Sequence, residues 1–252
     1  MSKMLILKQR KHTINSIYRS SCAMKAAAAI KVRKSENMLS ESEHTLSNII
    51  QEYGLVLKKK FNAHVQDLEE KKLNLLIGCN KGFCGKFLSD INIYFEQMSK
   101  KNKHEWLLIG AKLESLANCK NIKYLCEVFE KEEEIFNLSM QVWQYINRES
   151  ITHFSIHSFY KSKIKSNEIL SKNKQVDYIE FQDHHMMIFF IAANLTQAIW
   201  QSMLEENKQR LIAVEQAKTN AESMAKYIER MYNRARQEKI TFELNEITAG
   251  IV

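Results

Sequence analysis

A chain of 252 residues, 45% of them apolar, has material for a real hydrophobic core in one large domain or two small ones. Six Gly and no Pro, against usual frequencies of about 7% and 5%, leave little to interrupt long helices. The net charge of +8 is concentrated, because residues 1–34 hold nine Lys or Arg and no acid, and charge alone does not choose among nucleic acid, membrane and acidic protein as a partner.

The first predicted element is a helix over residues 3–53, with Met4, Leu7, Ile14, Ile17, Met24 and Ala28 at three, four or seven residue steps. Its basic, acid-free start imitates a transit peptide, but the helical pattern is under way by Ile14, so little is expected to be cleaved. The glycines at 54, 78, 82, 85 and 110 then mark a middle region of different texture.

In that region Leu73–Ile77 reads as a buried strand, Lys86–Lys101 as a helix, Trp106–Ile109 as a strand and Lys112–Cys119 as a short helix. Tyr124–Phe129 reads as a strand, Glu133–Arg148 as a helix, Thr152–Tyr160 as a strand and Val176–Phe181 as a last one. Such alternation predicts a small sheet with helices on its faces.

From His185 to Thr248 a seam recurs through Phe190, Ala193, Trp200, Leu204, Leu211, Val214, Ala221, Ala225, Ile228, Tyr232 and Ala235, with polar Gln197, Asn207 and Lys218 on the missing steps. Some 60 residues rising 1.5 Å each make a helix of roughly 90 Å, which needs a partner along its length. The N-terminal helix is that partner, antiparallel, with small residues at Ala26–Ala29 and at Ala213, Ala217, Ala221 and Ala225 allowing close approach. The longest apolar run, Met186–Leu195, is about half a bilayer span, so the chain is not expected to cross a membrane.

Several residue groups invite a chemical reading. The turn Gly78-Cys79-Asn80-Lys81-Gly82-Phe83-Cys84-Gly85 lies between a strand and a helix, where a phosphate cradle would sit, but its spacing is neither GxGxxG nor Walker A. A nucleotide-binding enzyme would also need a carboxylate ending the second strand, and that strand ends in Gly110-Ala111-Lys112. Cys79 and Cys84 lack zinc-like company, and the neighbours His184 and His185 point about 100° apart on a helix. Glu132–Glu134 suit the first turn of a helix. Five cysteines, Cys22, Cys79, Cys84, Cys119 and Cys126, at irregular spacing favour free thiols and a reducing compartment. No nucleophile, base and orienting group assemble, so no catalytic residue, metal or cofactor is expected. A nucleic-acid tether would need a continuous basic face, and residues 205–252 carry eight acids and eight bases.

Three stretches carry a family resemblance. Residues 14–35, with Ala23-Met24-Lys25 followed by small residues and then Lys31, Arg33 and Lys34, look like the N-terminal signature of F-type ATP synthase gamma subunits. Asn233-Arg234-Ala235-Arg236-Gln237-Glu238-Lys239-Ile240-Thr241-Phe242-Glu243, continuing to Gly250, resembles the closing motif of that family, and Gly82-Phe83-Cys84-Gly85 is similar to its Gly-Leu-Cys-Gly turn. The middle is some tens of residues shorter than is usual there, and the tail stops early at Val252.

The resemblance implies an α/β fold class: a long antiparallel two-helix coiled coil from the N- and C-terminal helices, plus a small Rossmann-like α/β domain in the middle. The corresponding division is 1–55 for the first helix, 70–182 for the globular domain and 185–252 for the last helix. It implies a central-stalk rotor, one copy per complex, that couples ion flow through a membrane ring to ATP chemistry elsewhere. The implied partners are the alpha and beta subunits of the catalytic ring, the epsilon subunit and the membrane c-ring, with no nucleic acid. Met24, Lys25, Lys31, Arg33, Lys34, Arg234, Arg236, Gln237, Thr241 and Glu243 match the positions that meet the ring. The implied location is peripheral, on the cytoplasmic face of a bacterial membrane or the matrix side of an organelle inner membrane.

Overall fold

A computed structural model describes residues 3–64, 71–101, 104–118, 122–128, 131–161, 163–170 and 184–250. In chain order the elements are α1 (Lys3–His64), β1 (Lys72–Ile77), α2 (Phe87–Lys101), β2 (Glu105–Ile109), a 3-10 helix (Ala111–Asn118), β3 (Ile122–Cys126), α3 (Glu132–Arg148), β4 (His153–Tyr160), β5 (Lys163–Leu170) and α4 (His184–Ala249). The strand expected at Val176–Phe181 lies outside the described residues. Two expectations are corrected. Helix α1 does not end at residue 53 but continues through Gly54, since one interior glycine costs about 1 kcal/mol and does not stop a helix. Strand β5 was not foreseen, because Lys163, Lys165 and Asn167 hide its alternation at a sheet edge, where charged side chains are common.

The chain divides into two compact units, Ile30–Gln209 and Met1–Ala29 with Arg210–Val252, and α1 and α4 contribute to both. In the larger unit the sheet order is β3-β2-β1-β4-β5, with β5 antiparallel and all other neighbours parallel. Period-two alternation gives each face its own core. Leu73, Leu75, Ile77, Leu107, Ile109, Phe154 and Ile156 pack with α3 and with α1 and α4 residues such as Leu39, Ile191, Leu195 and Ile199. Leu76, Trp106, Leu108 and Phe159 pack with Phe87, Ile91 and Phe95 of α2 on the other face. The three acids Glu132, Glu133 and Glu134 open α3 as expected.

By length and composition α4 is apolar enough to cross a bilayer, which the short-run reading of the sequence did not anticipate, but most of its apolar stretch is buried in this core. Over that stretch it is a core helix of the larger unit.

In the smaller unit the two helices form an antiparallel pair. Lys11 Nζ meets Glu229 Oε1 at 2.8 Å, Lys25 Nζ meets Glu215 Oε2 at 2.6 Å, and Lys218 Nζ lies 6.0 Å from the Tyr18 ring centre. Leu7, Ile228 and Ala235 form the apolar knot, flanked by Met4, Ile14, Met231 and Tyr232. The α4 seam follows the expected positions, with Val214, Ala221, Ile228 and Ala235 buried. The α1 seam needs correction. Ile17 and Met24 are exposed, and the buried line runs through Leu7, Ser21 and Ala28 with Ile14, Tyr18 and Lys25 partly covered. Ala26, Ala27, Ala29 and Ala217 are also exposed, so the close approach depends on Ala28 and Ala221.

Candidate functional site

The seam ends at Ala235, and every residue from Arg236 to Gly250 is exposed. The register explains why. With Lys11 facing Glu229 and Lys25 facing Glu215, Lys3 comes level with Gln237, so among the described residues no part of α1 lies opposite α4 beyond that point. A lone helix of this length is marginal in water. Arg234–Glu238 (3.2 Å) and Lys239–Glu243 (3.3 Å) brace it at i,i+4 spacing, in the weaker orientation with the base first. Around these ion pairs Ile240, Phe242, Leu244 and Ile247 are 44–63% exposed. Ile240, Leu244 and Ile247 share one face of the helix and Phe242 lies on the other, so large apolar side chains are offered to an interaction partner on both sides.

Of the ten residues singled out in the sequence, seven fall in the smaller unit. Arg234, Arg236, Gln237, Thr241 and Glu243 cluster on the unaccompanied end and its approach, all exposed, with Arg234 and Glu243 already in the ion pairs above. Met24 is 38% exposed on the outer face of α1. Lys25 occupies a seam position, and its hydrogen-bonded ammonium holds the Glu215 carboxyl below its usual range. The other three, Lys31, Arg33 and Lys34, belong to the larger unit, where Lys34 Nζ lies 5.6 Å from the Trp200 ring centre. The apolar set Ile240, Phe242, Leu244 and Ile247 was missed. The available signal was large apolar residues persisting after the three-and-four spacing stops at Ala235.

The glycine-rich turn has a different use from a cradle. Gly78 donates its amide to Ile109 O (2.7 Å), Gly110 to Cys126 O (2.8 Å) and Lys112 to Cys79 O (3.0 Å). The Asn80 side chain completes the staple: Oδ1 accepts from Ala111 N (3.2 Å) and Val128 N (2.8 Å), and Nδ2 donates to Val128 O (2.8 Å). These bonds fasten the ends of β1, β2 and β3 to one another through the turn. Gly110 is required there, since at φ 125° a Cβ would come 2.9 Å from Cys79 N.

In sheets of this kind a ligand usually enters where the strand order reverses, here between β1 and β4. Helix α4 fills that place. Phe159 N, beyond the last β1 partner of β4, donates to Ser202 Oγ (3.0 Å), and Ser158 Oγ donates to Gln201 Oε1 (3.0 Å).

Comparison with known proteins agrees with this architecture. A family model described as ATP synthase matches residues 3–252. The chain is 24% identical to the ATP synthase gamma chain of Acetivibrio thermocellus, over 97% of this chain and 96% of that one. Its fold is similar to a chain of the Euglena gracilis mitochondrial ATP synthase rotor in rotational state 1, with a TM-score of 0.70, 16% identity, and 94% and 98% of the two chains covered. A second similar fold comes from the Tetrahymena thermophila mitochondrial ATP synthase central stalk with its c-ring, with a TM-score of 0.60, 17% identity, and 78% and 98% covered.

Proposed function

Because the chain belongs to the ATP synthase family, we infer that it is the gamma-type central-stalk subunit of an F-type enzyme, the rotor that couples ion flow to ATP synthesis or hydrolysis. The observation that carries this reading is the end of α4 beyond Ala235, a lone exposed helix with both an apolar set and directional polar groups. One such helix inside a ring of three alpha and three beta subunits presents a different side to each catalytic site. Turning it changes which site is biased open, and the bias equals the difference in contact free energy between states.

The chain supplies no catalytic group in this account. It acts through contacts of Met24, Lys25, Lys31, Arg33 and Lys34 low on the ring and of Arg234, Arg236, Gln237, Thr241 and Glu243 higher up, while the middle domain of residues 70–182 meets the c-ring and the epsilon subunit. It is peripheral to the membrane complex, on the cytoplasmic face of a bacterial membrane or the matrix side of an organelle.

Arg236 and Gln237 give the test. Neither lies on the seam, so replacing both with Ala leaves the helix pair folded, yet removes hydrogen bonds of about 1.5–3 kcal/mol each where a charge is involved. The expected result is an assembled complex on a native gel with depressed ATP turnover and depressed ATP-driven pumping in membrane vesicles. Normal rates would refute the role of these two residues.

A further inference from the structure

The turn at residues 78–85 contains a feature that stalk function does not use. Cys79 and Cys84 are both buried, and their sulfurs are 3.9 Å apart, in van der Waals contact. The backbone sets this up. Phe83 (φ 59°) and Gly85 (φ 56°) are both left-handed and curl the turn back on itself. Cys79 O accepts from Lys112 N at 3.0 Å and Cys84 O from Phe87 N at 3.1 Å, so both cysteines are held at the backbone. The turn is thin above them: Phe83 is 75% exposed, and a Cβ built on Gly82 would meet nothing within 4 Å.

We propose that Cys79 and Cys84 form an oxidisable dithiol, closed by a small oxidant such as hydrogen peroxide into a disulfide across the turn. The chemistry balances in two steps. The Cys79 or Cys84 thiolate attacks peroxide, giving a sulfenic acid and hydroxide. The second thiol then displaces the hydroxyl, forming the S–S bond and releasing water, so that two thiols lose two electrons and two protons and peroxide becomes two waters. The sulfurs close to bonding distance by side-chain rotation of about 2 Å. Because the bond would span Asn80, it locks the side chain that staples the strand ends. Cys126, which is only partly buried and lies outside the Cys79–Cys84 sulfur contact, supplies the contrast.

Lys81 lies between the two cysteines, so trypsin separates residues 73–81 from residues 82–86 unless a disulfide joins them. The experiment treats the dilute, native full-length chain with hydrogen peroxide, blocks remaining thiols with an alkylating agent, digests without reductant and analyses the peptides by mass spectrometry. The expected product is the linked pair 73–81/82–86 as the main oxidised species, with Cys126 alkylated. It should vanish in Cys79→Ser and in Cys84→Ala alike. The same treatment in concentrated denaturant should scatter linkages over the five cysteines. Recovery of both peptides unlinked and alkylated, a sulfinic acid at one cysteine in place of the link, or no preference over the denatured chain would overturn the proposal.

Discussion

His157 of β4 is enclosed by polar partners inside the larger unit. Tyr94 Oη lies 3.0 Å from Nδ1, Asn74 Oδ1 lies 3.0 Å from Nε2, and the Trp106 ring centre is 5.4 Å away. Burial lowers its pKa from 6.5 to about 4, because no carboxylate among these contacts favours the cation. Between those two values the unfolded chain binds a proton that the folded chain refuses. Stability therefore reaches its plateau above about pH 6.5 and falls as pH drops toward 4, by about 3 kcal/mol from this group alone. Urea midpoints measured from pH 4 to 7 should fall with acidity in the wild type, and His157→Gln should flatten that slope; parallel slopes would contradict it. Asn80 is the second residue-scale case. Asn80→Ala strips partners from two backbone amides and a carbonyl, which should cost about 2–3 kcal/mol in denaturant unfolding, whereas a loss below about 0.5 kcal/mol would mean the staple is dispensable. Neither role was legible in the sequence. A histidine alternating with apolar residues and an asparagine in a glycine-rich turn take their meaning from strands distant in the chain.

The long elements were more legible, because the heptad pattern depends on spacing alone. The α4 seam could be read through Val214, Ala221, Ile228 and Ala235 since its apolar and small residues stand at the contact positions. The α1 seam misled because Ser21, Ser35 and Ser42 take buried positions without looking apolar, while Ile17 and Met24 look apolar and face outward. A small hydroxyl fits a tight interface when it has an acceptor, and Ser42 Oγ donates to Leu39 O at 2.8 Å. Strand β5 was hidden for the converse reason, its polar face belonging to an exposed edge. The register of the helix pair is testable without mutation. A zero-length carbodiimide should join Lys11 to Glu229 and Lys25 to Glu215, the ammonium and carboxylate being in contact in both pairs. Links from Lys25 to acids one heptad away, such as Glu222, would show a slipped register.

At the scale of the whole molecule, the same helix belongs to the core of the larger unit and to the helix pair of the smaller one. Helix α4 is fixed to β4 through Gln201 and Ser202, packs its apolar stretch in the larger unit, and is exposed from Arg236 to Gly250. The sheet that would hold a ligand in related architectures instead holds this helix. Under the proposed function, the partner that covers this exposed end is the ring of alpha and beta subunits. Under the proposed function a single copy of this chain stands in that ring. Native mass spectrometry of the complex purified through a tag on this chain tests it most directly. One copy for every three alpha and three beta subunits is the expected result; two or more copies per ring, or a stable assembly lacking alpha and beta, would contradict the rotor role.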